Sequence, residues 1–251
     1  MHERRDPTTI LAAAITLAAV IGFVIAVPSV LPAGLRNLVG LGPHRQVAAR
    51  SVGQSTGFAF LAHQRGNRDS PVGYDPCKVI HVVMNPREAP SYGLALVKQA
   101  MAEVGERSGL RFVYDGTTNR RQQWQGESTP VLLGIPRSRP VLVSWSTGAE
   151  THELAGSVAG LGGSAALPDN GGYLRFFTGG ITLDSQDFAR MEQQPDGQAE
   201  QLAVVLHEFG HVVGLAHVKD PDALMNPAPH VTSFSPGDLA GLARVGRTSC
   251  A

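Results

Sequence analysis

The feature that most constrains this chain is the run His207-Glu208-Phe209-Gly210-His211-Val212-Val213-Gly214-Leu215-Ala216-His217, which reads H-E-x-x-H-x-x-G-x-x-H. Residues four apart lie on one face of a helix, so His207 and His211 are spaced to meet a single metal ion, as they would not be on a strand. Gly214 is suited to end that helix with a turn that brings His217 round as a third ligand. Three protein ligands with an open fourth position describe a catalytic zinc site rather than a structural one. Neutral imidazoles leave the ion its positive charge, which is what a Lewis acid needs. Glu208 follows the first ligand and projects near the metal without occupying it, which makes it the candidate general base. His63, His81, His152 and His230 have no partners at ligand spacing and are read as surface or core residues.

Around this run the apolar pattern predicts a helix from about Gln198 to Val213, with Leu202, Val205, Leu206, Phe209, Val212 and Val213 on its buried side and Asp196 or Gly197 as N-cap. Further upstream, the β-branched stretch 78–84 stops at Asn85-Pro86 and reads as a strand. A helix follows from Pro90 or Ser91 to Gly109, then a strand over 110–114 closed by Asp115-Gly116. Strand, helix and strand in that order make a βαβ unit with parallel neighbours and a right-handed crossover. Residues 131–133 and 141–145 are further strand candidates. Glycines dominate 156–172; 173–177 and 180–184 then read as strands or a bent hairpin, 187–197 as a loop, and 239–245 as a last short helix.

The chain has 251 residues, 43% of them hydrophobic, enough for one medium domain with a core and some additional segments. Its 21 basic and 21 acidic side chains balance, which argues against a nucleic-acid partner. Two arginines, Arg4 and Arg5, precede an uncharged run of twenty residues, 8–27. As a helix this run would rise about 30 Å, the thickness of a bilayer core. It is longer than the apolar part of most signal peptides and lacks an A-x-A cleavage site, so 1–27 is expected to be a transmembrane signal anchor, with a cleaved signal peptide as the alternative. Residues 28–73 are expected to be a linker or stalk, with the apolar patch Phe58-Ala59-Phe60-Leu61 able to dock on the domain, and 74–251 to be the folded domain. Cys77 and Cys250 would join the two ends of that domain if they pair; two unpaired thiols are the other reading. The expected location is the cell membrane, single-pass with the domain outside the cytoplasm, or secretion after signal cleavage.

The eleven-residue run resembles the zinc signature of the metzincin metalloproteases, and Asp220-Pro221-Asp222-Ala223-Leu224-Met225-Asn226-Pro227 resembles their Met-turn in its matrixin form. Gly210 and the stretch Asp238-Leu239-Ala240-Gly241-Leu242 are also matrixin-like. The resemblance implies an α+β, zincin-type fold: a twisted, mostly parallel sheet of five strands, about three helices and a zinc cleft. It implies Zn2+ on His207, His211 and His217, Glu208 as catalytic base, Met225 beneath the metal as a structural residue, and an extended peptide lying along an edge strand within the glycine-rich region. The activity implied is that of a zinc endopeptidase acting on extracytoplasmic proteins, expected as a monomer. A zinc-binding module without proteolysis and a zinc hydrolase of a non-peptide bond are the alternatives. The chain departs from the matrixin pattern in having no cysteine in 28–73, Val218 where serine is usual, and no evident histidine set for a second, structural zinc. Asp169-Asn170-Gly171-Gly172 is read as a plain turn, with structural Ca2+ as the other option.

Overall fold

The computed structural model describes residues 57–124, 131–132, 135–136, 139–169 and 171–251, all within the unit Arg45–Ala251. In chain order its elements are β1 (Ala59–Phe60), β2 (His63–Gln64), β3 (Asn67–Pro71), β4 (Val79–Asn85), α1 (Gly93–Ser108), β5 (Arg111–Thr117), β6 (Val131–Leu132), β7 (Ile135–Pro136), β8 (Val141–Ser146), β9 (Gly160–Pro168), β10 (Leu174–Asp184), α2 (Ser185–Met191), α3 (Gly197–Val213), β11 (Leu215–Ala216) and α4 (Pro236–Val245).

Five strands form the central sheet in the order β5-β4-β8-β10-β9. β5, β4, β8 and β10 run parallel, and β9 pairs antiparallel with β10 at the edge. The fold is thus α+β with a mostly parallel five-stranded sheet, as expected, and the described residues include four helices where about three were expected. α1 crosses from β4 to its parallel neighbour β5, so the βαβ unit read from the sequence is present. Its stripe of Leu96, Val97, Ala100, Met101 and Val104 is buried, and Gly109 ends it in the left-handed region (φ 78°) with its N–H on Gly105 O. α3 packs against α1, β9 and β10. Burial is continuous from Val205 to Val213, so this helix is interior rather than amphipathic over its second half. Phe209 anchors it edge-on against Phe112, with ring centroids 5.9 Å apart.

Three local readings differ from what the sequence suggested. The glycine-rich stretch contains β9, a nine-residue strand, and the two short runs after it are one eleven-residue strand, β10, with an irregularity between Phe176 and Thr178. Low local β-propensity is overridden here by pairing along the sheet edge. The expected loop begins as helix α2, whose start is set by the Asp184 carboxylate accepting from Gln186 N and Asp187 N. The end of the expected linker is built into the domain. β1 pairs with β11 (Ala59 with Ala216, Phe60 with Leu215), and β2 pairs with β3. Gly237 and Gly241 of α4 leave room for this segment, since a Cβ on them would meet Gly57 O at 2.2 Å and Phe58 Cβ at 2.9 Å.

The membrane expectation is corrected. Among the described residues no helix is long and apolar enough to cross a membrane; the longest, α3, has 17 residues and carries the His-Glu-His set. This finding stands against the transmembrane anchor, the membrane as a partner and the single-pass location; the 8–27 run itself lies outside the described residues.

Cys77 and Cys250 are joined in a disulfide with their Cα atoms 5.6 Å apart, closing a loop across a sequence separation of 173. Such a link removes closure entropy from the unfolded chain. Replacing both cysteines by serine is expected to lower the unfolding free energy by about 2–5 kcal/mol, read from urea denaturation; an unchanged midpoint would show that the link contributes nothing.

Candidate metal centre and active site

His207 and His211 stand one turn apart on α3, and the helix stops directly after them at Gly214. Gly214 has φ 116°, and a Cβ there would also lie 2.9 Å from Val72 O. Backbone conformation and space therefore both require glycine. The chain turns through β11, held by its pairing with β1 and by Leu61 N donating to Gly214 O at 2.9 Å. His217 comes next and is fixed on its far side by Val218 N donating to Met225 O at 3.0 Å.

The three rings converge. Nε2 of His207 lies 3.0 Å from Nε2 of His211 and 3.1 Å from that of His217, and the third side of the triangle is 3.1 Å. The Nδ1 atoms identify the tautomers. His207 Nδ1 meets Leu224 O at 2.6 Å and His211 Nδ1 meets Leu215 O at 2.8 Å. A carbonyl only accepts, so each Nδ1 carries the proton and each Nε2 presents a bare lone pair. Lone pairs this close repel unless a cation lies among them. Tetrahedral zinc with Zn–N of about 2.0–2.1 Å separates its ligand atoms by roughly 3.3 Å, within a few tenths of the spacing found. The donor set fits zinc.

Burial enforces the same state. The His207 and His211 imidazoles are pushed down to about 4, chiefly by loss of hydration, with a neighbouring imidazole adding to it. His217 is lowered for the same reason but stands at the exposed side, which leaves an approach to the centre. Glu208 is 5% exposed, and burial raises its carboxyl to about 8 in the metal-free protein. A nearby dication acts in the opposite direction.

Met225 is buried and packs on Gly210, the residue before His211, where a Cβ would lie 2.6 Å from Sδ. That close approach explains the glycine inside the motif. Asp238, which in the sequence is only part of a matrixin-like stretch, supports this turn. It is 0% exposed, and its Oδ2 accepts from Leu224 N at 2.8 Å and from Ser235 N at 2.9 Å. A relay of two hydrogen bonds thus runs from α4 through Leu224 to His207. The Ser-x-x-Asp capping box at Ser235 was the available signal.

Other candidates stay apart. Among the described residues, the second metal-capable group is Asp75 with Cys77 and Cys250, whose sulfurs are already bonded to each other. His81 pairs with Asp115 at 2.8 Å, remote from the centre in sequence and outside its ligand group. Asp169 is a turn residue: Oδ1 accepts from Gly171 N and Tyr173 N, and Oδ2 from Arg175 Nε at 2.7 Å. A carboxylate facing a guanidinium offers no calcium position.

Residues 146–241 match the family model described as Matrixin. No curated protein gives a significant sequence match. Among solved structures, the crystal structure of archaemetzincin from Methanopyrus kandleri is similar at 16% identity and a TM-score of 0.30, over 68% of this chain and 86% of that chain. Over residues 146–241 the chain is similar to the Matrixin family of zinc metalloproteases.

Because His207 and His211 stay neutral down to about 4, protons compete with zinc only well below the ordinary histidine range. Equimolar zinc is expected to survive dialysis at about pH 5.5, a unit under the unperturbed imidazole pKa, and to be lost as the pH falls towards 4, measured by atomic emission. Release already complete near the ordinary histidine value would contradict the buried, Nδ1-protonated arrangement.

Proposed function

We propose that this matrixin-type zinc metallopeptidase is an endopeptidase that hydrolyses internal bonds of extended peptides, with Glu208 as its general base. The observation that carries the reading is the triangle of three Nε2 atoms, with the proton held on Nδ1 in His207 and His211, and the buried carboxyl of Glu208 next in the chain to the first of them. His207, His211 and His217 would hold the zinc. When bound, it supplies Lewis acidity, polarising the substrate carbonyl and lowering the pKa of water at the open position.

The protein's own residues account for the remaining steps. Glu208 takes a proton from the water as its oxygen adds to the carbonyl carbon. It returns that proton to the amide nitrogen as the C–N bond breaks, leaving a carboxylic acid and an amine. β9 lies at the end of the sheet order, so among the described residues no strand pairs with its outer edge. Its nine residues offer a longer ladder than an exopeptidase would use, which supports cleavage within a chain. The disulfide supports maturation in an oxidising compartment and therefore extracytoplasmic protein substrates.

The test is a diverse peptide library with mass-spectrometric detection. Glu208→Gln is expected to lower kcat by about 10²–10⁴ while retaining equimolar zinc; chelation should abolish cleavage in the wild type, and added zinc should restore it. A zinc-loaded wild type that cleaves no internal bond, or a Glu208→Gln protein as active as wild type, would refute the proposal.

A further inference from the structure

We infer that Gly160 is a positioning residue for the Glu208 carboxyl, so that β9, besides flanking a substrate, sets the general base in place. The inference rests on the endopeptidase reading above.

Residues 160, 162 and 164 share one face of β9. Their partners across β10 are Leu183, Ile181 and Gly179, and the first two of these are fully buried. This is the face that meets α3. At its far end Ser164 Oγ donates to Val212 O at 2.8 Å, which ties the strand to the helix one turn beyond Glu208. Nearer the metal centre, glycines replace that contact, and the two act differently. A Cβ on Gly162 would lie 2.4 Å from Glu208 O, 2.8 Å from its Oε2 and 2.9 Å from its Cα, so it would strike the helix backbone as well as the carboxyl. A Cβ on Gly160 would meet the side chain alone, at 2.9 Å from Cγ, 2.9 Å from Oε1 and 3.1 Å from Cδ. Both glycines therefore wall the recess that receives the carboxyl, but Gly162 also sets the distance between strand and helix, while at Gly160 the nearest atoms are those of the Glu208 side chain.

Two further observations make the recess matter. Neither glycine is among the residues with positive φ, so the requirement is for space and not for backbone freedom. Among the described residues the Glu208 carboxyl meets no hydrogen-bond or ion-pair partner, although it is buried. Its rotamer is set by the walls around it, and the wall at Gly160 is a bare Cα. A methyl group there would push the carboxyl off its position by a fraction of an ångström or more. α3, with its ligand histidines, would stay in place.

The experiment compares zinc-loaded full-length wild type, Gly160→Ala, Glu208→Asp and the double variant, using a peptide the wild type cleaves. Gly160→Ala is expected to lower kcat on the order of tenfold to a hundredfold, the scale of a misplaced reacting group. KM should stay within about twofold, and zinc affinity by chelator competition should not change. A crystal structure should show the Glu208 carboxyl displaced and the three imidazoles unmoved. Glu208→Asp withdraws the carboxyl by one methylene, so the added methyl should cost at most about twofold in that background, a coupling that a general distortion of β9 would not produce. The inference is overturned if Gly160→Ala cleaves as well as wild type, if it loses zinc or its fold, or if its loss is the same in both backgrounds. A wild type that holds zinc and cleaves nothing would refute the endopeptidase reading and this inference together.

Discussion

The structure depends on two hydrogen bonds from imidazole to backbone carbonyl, His207 Nδ1 to Leu224 O and His211 Nδ1 to Leu215 O. They fix which nitrogen of each ring is protonated, and so direct a lone pair from each Nε2 to a common point. Each carbonyl is itself held. Leu224 belongs to the turn that Asp238 supports from α4, and Leu215 belongs to β11, which is paired with β1. The N-terminal segment, the Met-turn and the last helix are thus all required to orient two side chains on α3. Burial then makes that orientation costly to leave, because protonating either ring would place a charge where little water reaches it.

The sheet contributes through distance. β9 runs antiparallel at the edge and approaches α3 so closely that side chains are excluded at Gly160 and Gly162, before Ser164 bonds to Val212 O. In a sheet edge otherwise poor in β-formers, glycine is there because of what lies across the interface. One strand therefore both walls the Glu208 carboxyl and presents an edge that no described strand covers.

Much of the site could be read in the sequence because its geometry is local. A spacing of four on a helix, a glycine at the helix end and a methionine turn close downstream need little knowledge of the rest of the chain. The βαβ unit was legible for the same reason, since β-branched runs and a 3–4 apolar repeat report on their own neighbourhoods. The glycine-rich stretch was not, because its strand is formed by pairing with β10 and its glycines by contact with α3. The segment before residue 74 looked like linker because its few apolar residues are partly buried by α4 and β11, elements more than a hundred residues away. The reading of a membrane anchor drew on length and hydropathy alone, and no helix among the described residues meets that description.

What the sequence determined by itself was the identity and order of the three histidines that the fold brings together, because helical spacing and a glycine stop are local features. The α+β class followed from periodicity in the same way. Only the tertiary structure decided the tautomers, the pairing of Cys77 with Cys250, the support from Asp238 and the seat of the Glu208 carboxyl. Each of these depends on atoms brought together across long sequence separations, where contact distance and loss of water set the energetics and no local pattern records them.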